Sequence, residues 1–424
     1  MKLSFVGRWS MALFASLALG LGMTACGGGT IGYMWVLGQQ YNQIMGFKID
    51  DYSGNLTEVP GAPFASNGAV PVSLVIKSGG RYVYVINQGT GGSATGPGSD
   101  QTIALYSVGG DGSLSYQQSY HSQGYVSQWA QMDSSGTYLM VLDKYAPSVD
   151  SKGIYDGPNT DGNGAVTVFA ADVNTGRLSL VTNAQTQVNG VNTPFWEVGP
   201  APIMTLSQGG CLFTLNSGYT NNVQTITPFT IGSGGQLIFT TTGNFAINPV
   251  SGQATNITSI AGHGSYIFLT DAANNVLYGY NQGGTCGLNA QNGGTTNLAT
   301  TFPGTSNPVY SFVDTSGKYV YVLNYSPSNT QPTTPNSNIS ALTINSTFQE
   351  LQPIPGAPYT VGSGPVCMVE DPTNQYVYIS NHNDGTVTGK SINPTTGELA
   401  QLSKGSTFTA TGLAGCLAVS GSID

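Results

Sequence analysis

"YVYVIN" at Tyr82–Asn87 returns as "YVYVLN" at Tyr319–Asn324 and as "YVYISN" at Tyr376–Asn381. Aligned on the first Tyr, four more copies appear: "YMWVLG" at Tyr33, "YLMVLD" at Tyr138, "CLFTLN" at Cys211 and "YIFLTD" at Tyr266. Successive copies start 49, 56, 73, 55, 53 and 57 residues apart, so the chain is built from seven units with one insertion. Such a period marks a repeat architecture. Each word is rich in β-branched and aromatic residues and reads as a strand. A polar turn precedes most copies ("KSGGR", "DSSGT", "DTSGK", "DPTNQ"), and another strand precedes each turn, as in "PVSLVIK". Each word is therefore the second strand of a hairpin.

Two further strands joined by a Gly turn follow the word. Examples are "TIALYSVGGDGSLSYQQ" (Thr102–Gln118), "AVTVFAADVNTGRLSLV" (Ala165–Val181) and "VTGKSINPTTGELAQL" (Val387–Leu402). Four strands per unit, repeated seven times, specify an all-β fold, a seven-bladed β-propeller. No segment keeps a 3.6-residue apolar period, so little helix is expected. The first unit lacks an inner strand, and a spare one, "GLAGCLAVSG" (Gly412–Gly421), follows the last. Pairing the spare strand with the N-terminal three closes the ring and removes its open edges.

Composition agrees. Of 424 residues only 7% are charged, while Gly numbers 59 and Tyr 23. The surface is expected to carry amides and hydroxyls rather than ions. Residues 1–26 read as an export leader, with Lys2 and Arg8 ahead of the apolar run "MALFASLALGLG". That run is shorter than a bilayer span. "MTAC" (Met23–Cys26) resembles a bacterial lipobox, with Met23 where Leu is usual, which makes Cys26 the lipidated N-terminus. A plain secretory cut near Ala25 is the alternative. Residues 27–32 then form a tether and 33–424 the propeller. Gly27 after the Cys resembles the pattern sent on to an outer membrane. The expected location is the cell envelope, periplasmic or surface-facing, with a monomeric body. Without Lys2 and Arg8 the net charge moves from −9 to −11, so no basic patch exists for nucleic acid.

The "YVYVxN" words, the turns "DSSGTY" and "DTSGKY" and the tails "TTGEL" and "VPGAPF" together resemble the seven-bladed lactonase family, propellers similar to bacterial 6-phosphogluconolactonase. The resemblance runs from about Tyr33 to the end. It implies a cleft lined by His and Arg from motifs such as G-C-H and G-P-R-H. The matching stretches are "GYVSQWAQMD" (Gly124–Asp133) and "GPAPIMTL" (Gly199–Leu206). There the His position reads Val126, and the Arg and His positions read Ala201 and Pro202. The cations that an anionic sugar phosphate requires are missing.

Six of the seven words close on Asn or Asp: Asn87, Asp143, Asn216, Asp271, Asn324 and Asn381. Gly38 breaks the series. Short Asx side chains bond their own turns. Otherwise Asn87, Asn216, Asn324 and Asn381, with His121, line a polar mouth. A lactone hydrolase needs a base near its attacking water. His382 with Asp384, or with Asp143 or Asp271 across the ring, is the best constellation on offer, whereas His263 falls in a hairpin turn. The insertion Tyr145–Gly164 carries Asp156 and ends in Asn159, Asp161 and Asn163 before Gly164, oxygens at alternate positions like the first half of a calcium loop. The closing Glu is absent, since the twelfth position is Ala170. An irregular calcium site, also using Asp150, or a plain polar loop are the two readings.

Four cysteines follow the leader, none in C-x-x-C spacing. Cys211–Cys286 would join neighbouring blades on one face, and Cys367–Cys416 would lock the ring at its seam. The leading expectation is an anchored binding or scaffold module for a neutral glycan, another small molecule or an envelope protein. A hydrolase opening an uncharged lactone is the rival.

Overall fold

The computed structural model describes residues 29–92, 98–149, 155–158, 161–182, 187–188, 191–217, 224–240, 243–247, 254–325, 337–345 and 350–421. Seven antiparallel sheets of four or five strands make the blades, and two short ribbons stand outside them. Blade 1 runs outward as Ala414–Gly421, Thr30–Gly38, Gln43–Asp50 and Leu56–Glu58. The spare C-terminal strand thus pairs with the first N-terminal one, with Val36 opposite Leu417 and Met34 opposite Val419. Blades 2 to 7 have their inner strands at Pro71–Ile76, Tyr125–Met132, Pro202–Gln208, Ile257–His263, Pro308–Val313 and Pro365–Glu370. These six strands and Ala414–Gly421 touch in cyclic order, which closes the ring. Helix among the described residues amounts to one turn at Leu298–Thr301 and a 3-10 turn at Gln39–Tyr41.

Blade packing explains why the word is apolar throughout. In blade 2, Val83 and Val85 pack toward blade 1, whereas Tyr84 and Ile86 pack toward blade 3. A strand covered on both faces reads as a continuous apolar run rather than an alternating one. Seven such clusters fill the seven spaces between successive blades.

The aromatic rings do more than fill volume. Tyr84 Oη donates to Gly176 O at 2.7 Å, in the outer turn of blade 3. Tyr321 reaches Gly397 O at 2.9 Å and Tyr378 reaches Gly54 O at 2.6 Å. Trp35 Nε1 reaches Gly112 O at 3.1 Å. In five of the seven words the first ring sits over the same turn. At Gly112, Gly176, Gly235, Gly397 and Gly54, all at positive φ, an added Cβ would lie 2.2–2.5 Å from the ring of Tyr33, Tyr82, Tyr138, Tyr319 or Tyr376. Tyr-x-Tyr on one blade and Gly-x-Leu on the next form a latch.

Between blades 4 and 5 the latch is covalent. Cys211 stands at the first-Tyr position, and Cys286 stands at the glycine position of "CGL" with φ 58°. They form a disulfide with a Cα–Cα distance of 5.7 Å. The second expected pair is not bonded. Cys367 and Cys416 lie on adjacent inner strands as free thiols. Cys416 falls in the stretch where the blade 1 register slips, between Leu417 and Ala414, so strand adjacency did not fix a bonding geometry there.

The long insertion folds back as a ribbon, Pro147–Val149 against Tyr155–Pro158. Ala146 and Val149 pack with Ala165 and Phe195.

Candidate ligand-binding mouth

All seven inner strands slip register near the same end. The unpaired residues are Val72, Gln128, Ile203, Thr258, Val309 and Val366, and in blade 1 the slip spans Gly415 and Cys416. A bulge frees one residue from the ladder and re-aims its side chain. The six collar residues of blades 2 to 7 are half-buried, and four of them are aliphatic. Trp129 and Tyr310 stand beside them, also half-buried. The Trp129 indole N–H has no partner among the described residues.

Just ahead of the bulge the chain passes through left-handed backbone at Val70 (φ 54°), Val126 (φ 61°), Ala201 (φ 47°), Asn307 (φ 52°) and Gly364 (φ 69°). Asn and Gly suit this region, whereas Val is strained there. Two of the three positions where the resemblance implied His or Arg, Val126 and Ala201, are therefore left-handed turn residues.

The Asx series lies one layer below and is fully buried: Asn87, Asp143, Asn216, Asp271, Asn324 and Asn381 are all at 0% exposure. Asn381 Nδ2 donates to Thr386 Oγ1 at 3.0 Å and Thr388 Oγ1 at 2.9 Å. Asn87 donates to Ser66 O and Thr102 Oγ1, Asn216 to Thr227 Oγ1, and Asn324 to Ser340 Oγ. These amides brace the third strand of their own blade, Asn87 also the loop entering its own inner strand, and they do not face the mouth. Burial makes the neutral amide the favoured residue there.

Asp143 carries a carboxyl at the same position. Its oxygens accept from Ser127 Oγ at 2.6 Å, Ser122 Oγ at 2.8 Å and Gly124 N at 3.2 Å. Desolvation outweighs these bonds and lifts its pKa to about 6. Asp271 is saturated by Asn256 N, Ala273 N, Asn274 Nδ2 and Tyr278 Oη.

His382 is half-buried at the mouth. Its Nδ1 lies 3.0 Å from Ala414 O. A carbonyl only accepts, so in the neutral ring the proton sits on Nδ1 and Nε2 keeps its lone pair. Asp384 does not pair with it. Asp384 Oδ1 accepts from Thr386 Oγ1 at 2.7 Å and Oδ2 from Ser363 N at 2.8 Å. The four residues named for hydrolysis are thus not brought together: three carboxyls serve separate local turns. His121 is exposed, with Nδ1 2.9 Å from Gln101 O, and His263 is exposed at the opposite face.

Sequence reasoning missed the ring that does sit at the mouth, the residue immediately after each Asx position. These are Gln39, Gln88, Lys144, Ser217, Ala272 and Tyr325, with His382 as the seventh, and every one is half-buried. Four of them tie the mouth together by donating backbone N–H to the left-handed residue, as Gln88 does to Val70 O and His382 to Gly364 O at 2.7 Å. The signal was available as a fixed offset of one residue from the aligned Asx. The Tyr41 ring is 58% exposed and rests against Gly412.

The calcium candidates are only partly placed. Asn159, Asp150 and the Asp156 side chain lie outside the described residues, as does Cys26. Asp161 is exposed, and Asn163 Nδ2 donates to Glu197 Oε1 at 3.3 Å. Among the described residues no group of three His, Cys, Asp or Glu gathers as metal ligands would, and no helix is long and apolar enough to cross a membrane.

The architecture defines a seven-bladed β-propeller with an amide-braced mouth. No family model and no curated protein sequence matches the chain. Solved structures do resemble it. A periplasmic gluconolactonase of Pseudomonas aeruginosa superposes with TM-score 0.64 at 14% identity, over 92% of this chain and 99% of the other. A candidate 6-phosphogluconolactonase of Bacteroides fragilis gives 0.64 at 15%, over 92% and 98%. A protein from Lactobacillus plantarum gives 0.65 at 14%, over 92% and 100%. At such identity the likeness establishes the fold and leaves the activity to the site.

Proposed function

We propose that this chain is an exported propeller, anchored through a lipid on Cys26, whose mouth binds a neutral ligand such as a glycan. The observation that carries the reading is that His382 hydrogen-bonds Ala414 O and none of the carboxyls named with it, each of which is engaged elsewhere. The mouth instead offers amides, hydroxyls and aromatic rings on an aliphatic collar, with Lys144 as the one cation of its seven-residue ring. Such surfaces suit uncharged, hydroxyl-rich or partly apolar partners. Export is supported by the leader-like N-terminus and by the Cys211–Cys286 disulfide, which persists in oxidising compartments. A monomeric body without affinity for nucleic acid completes the reading.

One observation favours the second reading, a hydrolase of uncharged lactones. His382 is oriented by Ala414 O with Nε2 free, the form a general base takes. Lactone hydrolysis by the wild type and His382→Ala, beside a glycan array, separates the two. The binding reading expects glycan capture and no turnover. Turnover that disappears in His382→Ala overturns it in favour of the hydrolase.

A further inference from the structure

The opposite end of the axis, on the face of the inner hairpin turns, holds a cavity of about 680 Å³. It is formed by blades 6, 7, 1 and 2 and shares no residue with the mouth. Its volume falls in the range of small-molecule sites. Its charged lining side chains are Lys77, Glu370 and Asp371.

Lys77 is only 5% exposed. It occupies the position held in blades 3, 6 and 7 by Asp133, Asp314 and Asp371, whose carboxylates cap their own hairpin turns. An ammonium cannot accept those N–H groups, so Lys77 has no turn to serve. Among the described residues no hydrogen bond or ion pair engages its ammonium. The charge of Lys77 lowers the pKa of the exposed Asp172 carboxyl, which does not line the cavity and forms no ion pair with it among the described residues. A lysine this buried normally has a partner.

Glu370 is the available carboxylate. Its Oε2 accepts from Thr315 N at 2.8 Å, and burial raises its pKa above the usual range. Asp371 also lines the cavity, but its oxygens are taken by Thr373 N, Gln375 N and Tyr376 N. Lys77 and Glu370 do not pair with each other, and Ile76, Pro372 and Val419 supply an apolar wall between polar turns.

We infer that this cavity binds a small zwitterion, a free α-amino acid, with its carboxylate on Lys77, its ammonium on Glu370 and a short aliphatic side chain against Ile76 and Val419. One ligand with both charges offers a partner to both groups, whereas an anion or a cation alone serves only one of them.

The test is calorimetric titration of the purified protein with alanine and valine, with their amides, which lack the carboxylate, and with propionate and isovalerate, which lack the amine. The expected result is binding of the free amino acids and a loss of roughly tenfold or more for either analogue series. Lys77→Met removes the preference for amino acid over amide, and Glu370→Gln removes the preference over the carboxylic acid. Absence of amino-acid binding up to concentrations on the order of 10 mM overturns the inference. So does equal binding of all three series by the wild type, a result that does not depend on how either variant folds.

Discussion

Asp143→Asn is expected to stabilise this protein, and more so as the pH rises. The carboxyl is fully buried with no cation beside it, and its pKa stands near 6 against an ordinary 3.8. The folded state therefore binds the proton more tightly than the unfolded chain. The contribution from this group is complete below pH 4 and is lost as the pH climbs through 6. Two pKa units correspond to about 3 kcal/mol forfeited at pH 7. Asn fits the site, because Asn381 and Asn87 make the equivalent bonds from Nδ2 to Thr hydroxyls. Ser122 and Ser127 can turn to accept, and the amide oxygen replaces Oδ2 at Gly124 N. Over a chain of this size ~3 kcal/mol is worth roughly 3–4 °C if the ring melts as one unit. Thermal melts of both proteins at pH 4, 5.5 and 7.5 check this. Coincident melting at pH 4 and a widening gain for Asn at higher pH are expected. A gain independent of pH, or a loss at pH 7.5, would refute the electrostatic account.

The covalent latch supports a second prediction. Cys211 and Cys286 are 75 residues apart, so Cys211→Ser releases loop-closure entropy worth about 4 kcal/mol, read as a lower midpoint in guanidinium and as equal sensitivity with and without reductant. Gly397→Ala places a methyl 2.5 Å from the Tyr319 ring at φ 73°, and it should cost about 2 kcal/mol or more in the same titration. Gly405→Ala is the control. It also has positive φ, but nothing lies within 4 Å of its added Cβ, so it should cost less.

The chain by itself determined the number of blades, their strand order and the closing of the ring. Those follow from local rules: strand propensity, turn residues and a period that any reader can count. It also pointed to Cys211–Cys286, because both residues fall at fixed places in the repeat. Whether the closing Asx of each word faces ligand or core was not legible, since Asn suits a solvent turn and a buried brace equally. Only the packed blades show 0% exposure for all six. The Tyr hydroxyls were equally silent in the sequence. Their acceptors lie about 75 to 95 residues ahead in blades 1, 2, 3 and 6, and more than 320 back across the seam for Tyr378. His382, Asp384, Asp143 and Asp271 looked like one constellation because the repeat places each near the same face. Tertiary structure separated them, since hydrogen bonds form over about 3 Å while blade neighbourhood is a much coarser measure. Periodicity fixes which layer a residue occupies. The distance between two side chains in that layer depends on bulges, left-handed turns and burial, which arise only when the ring has closed.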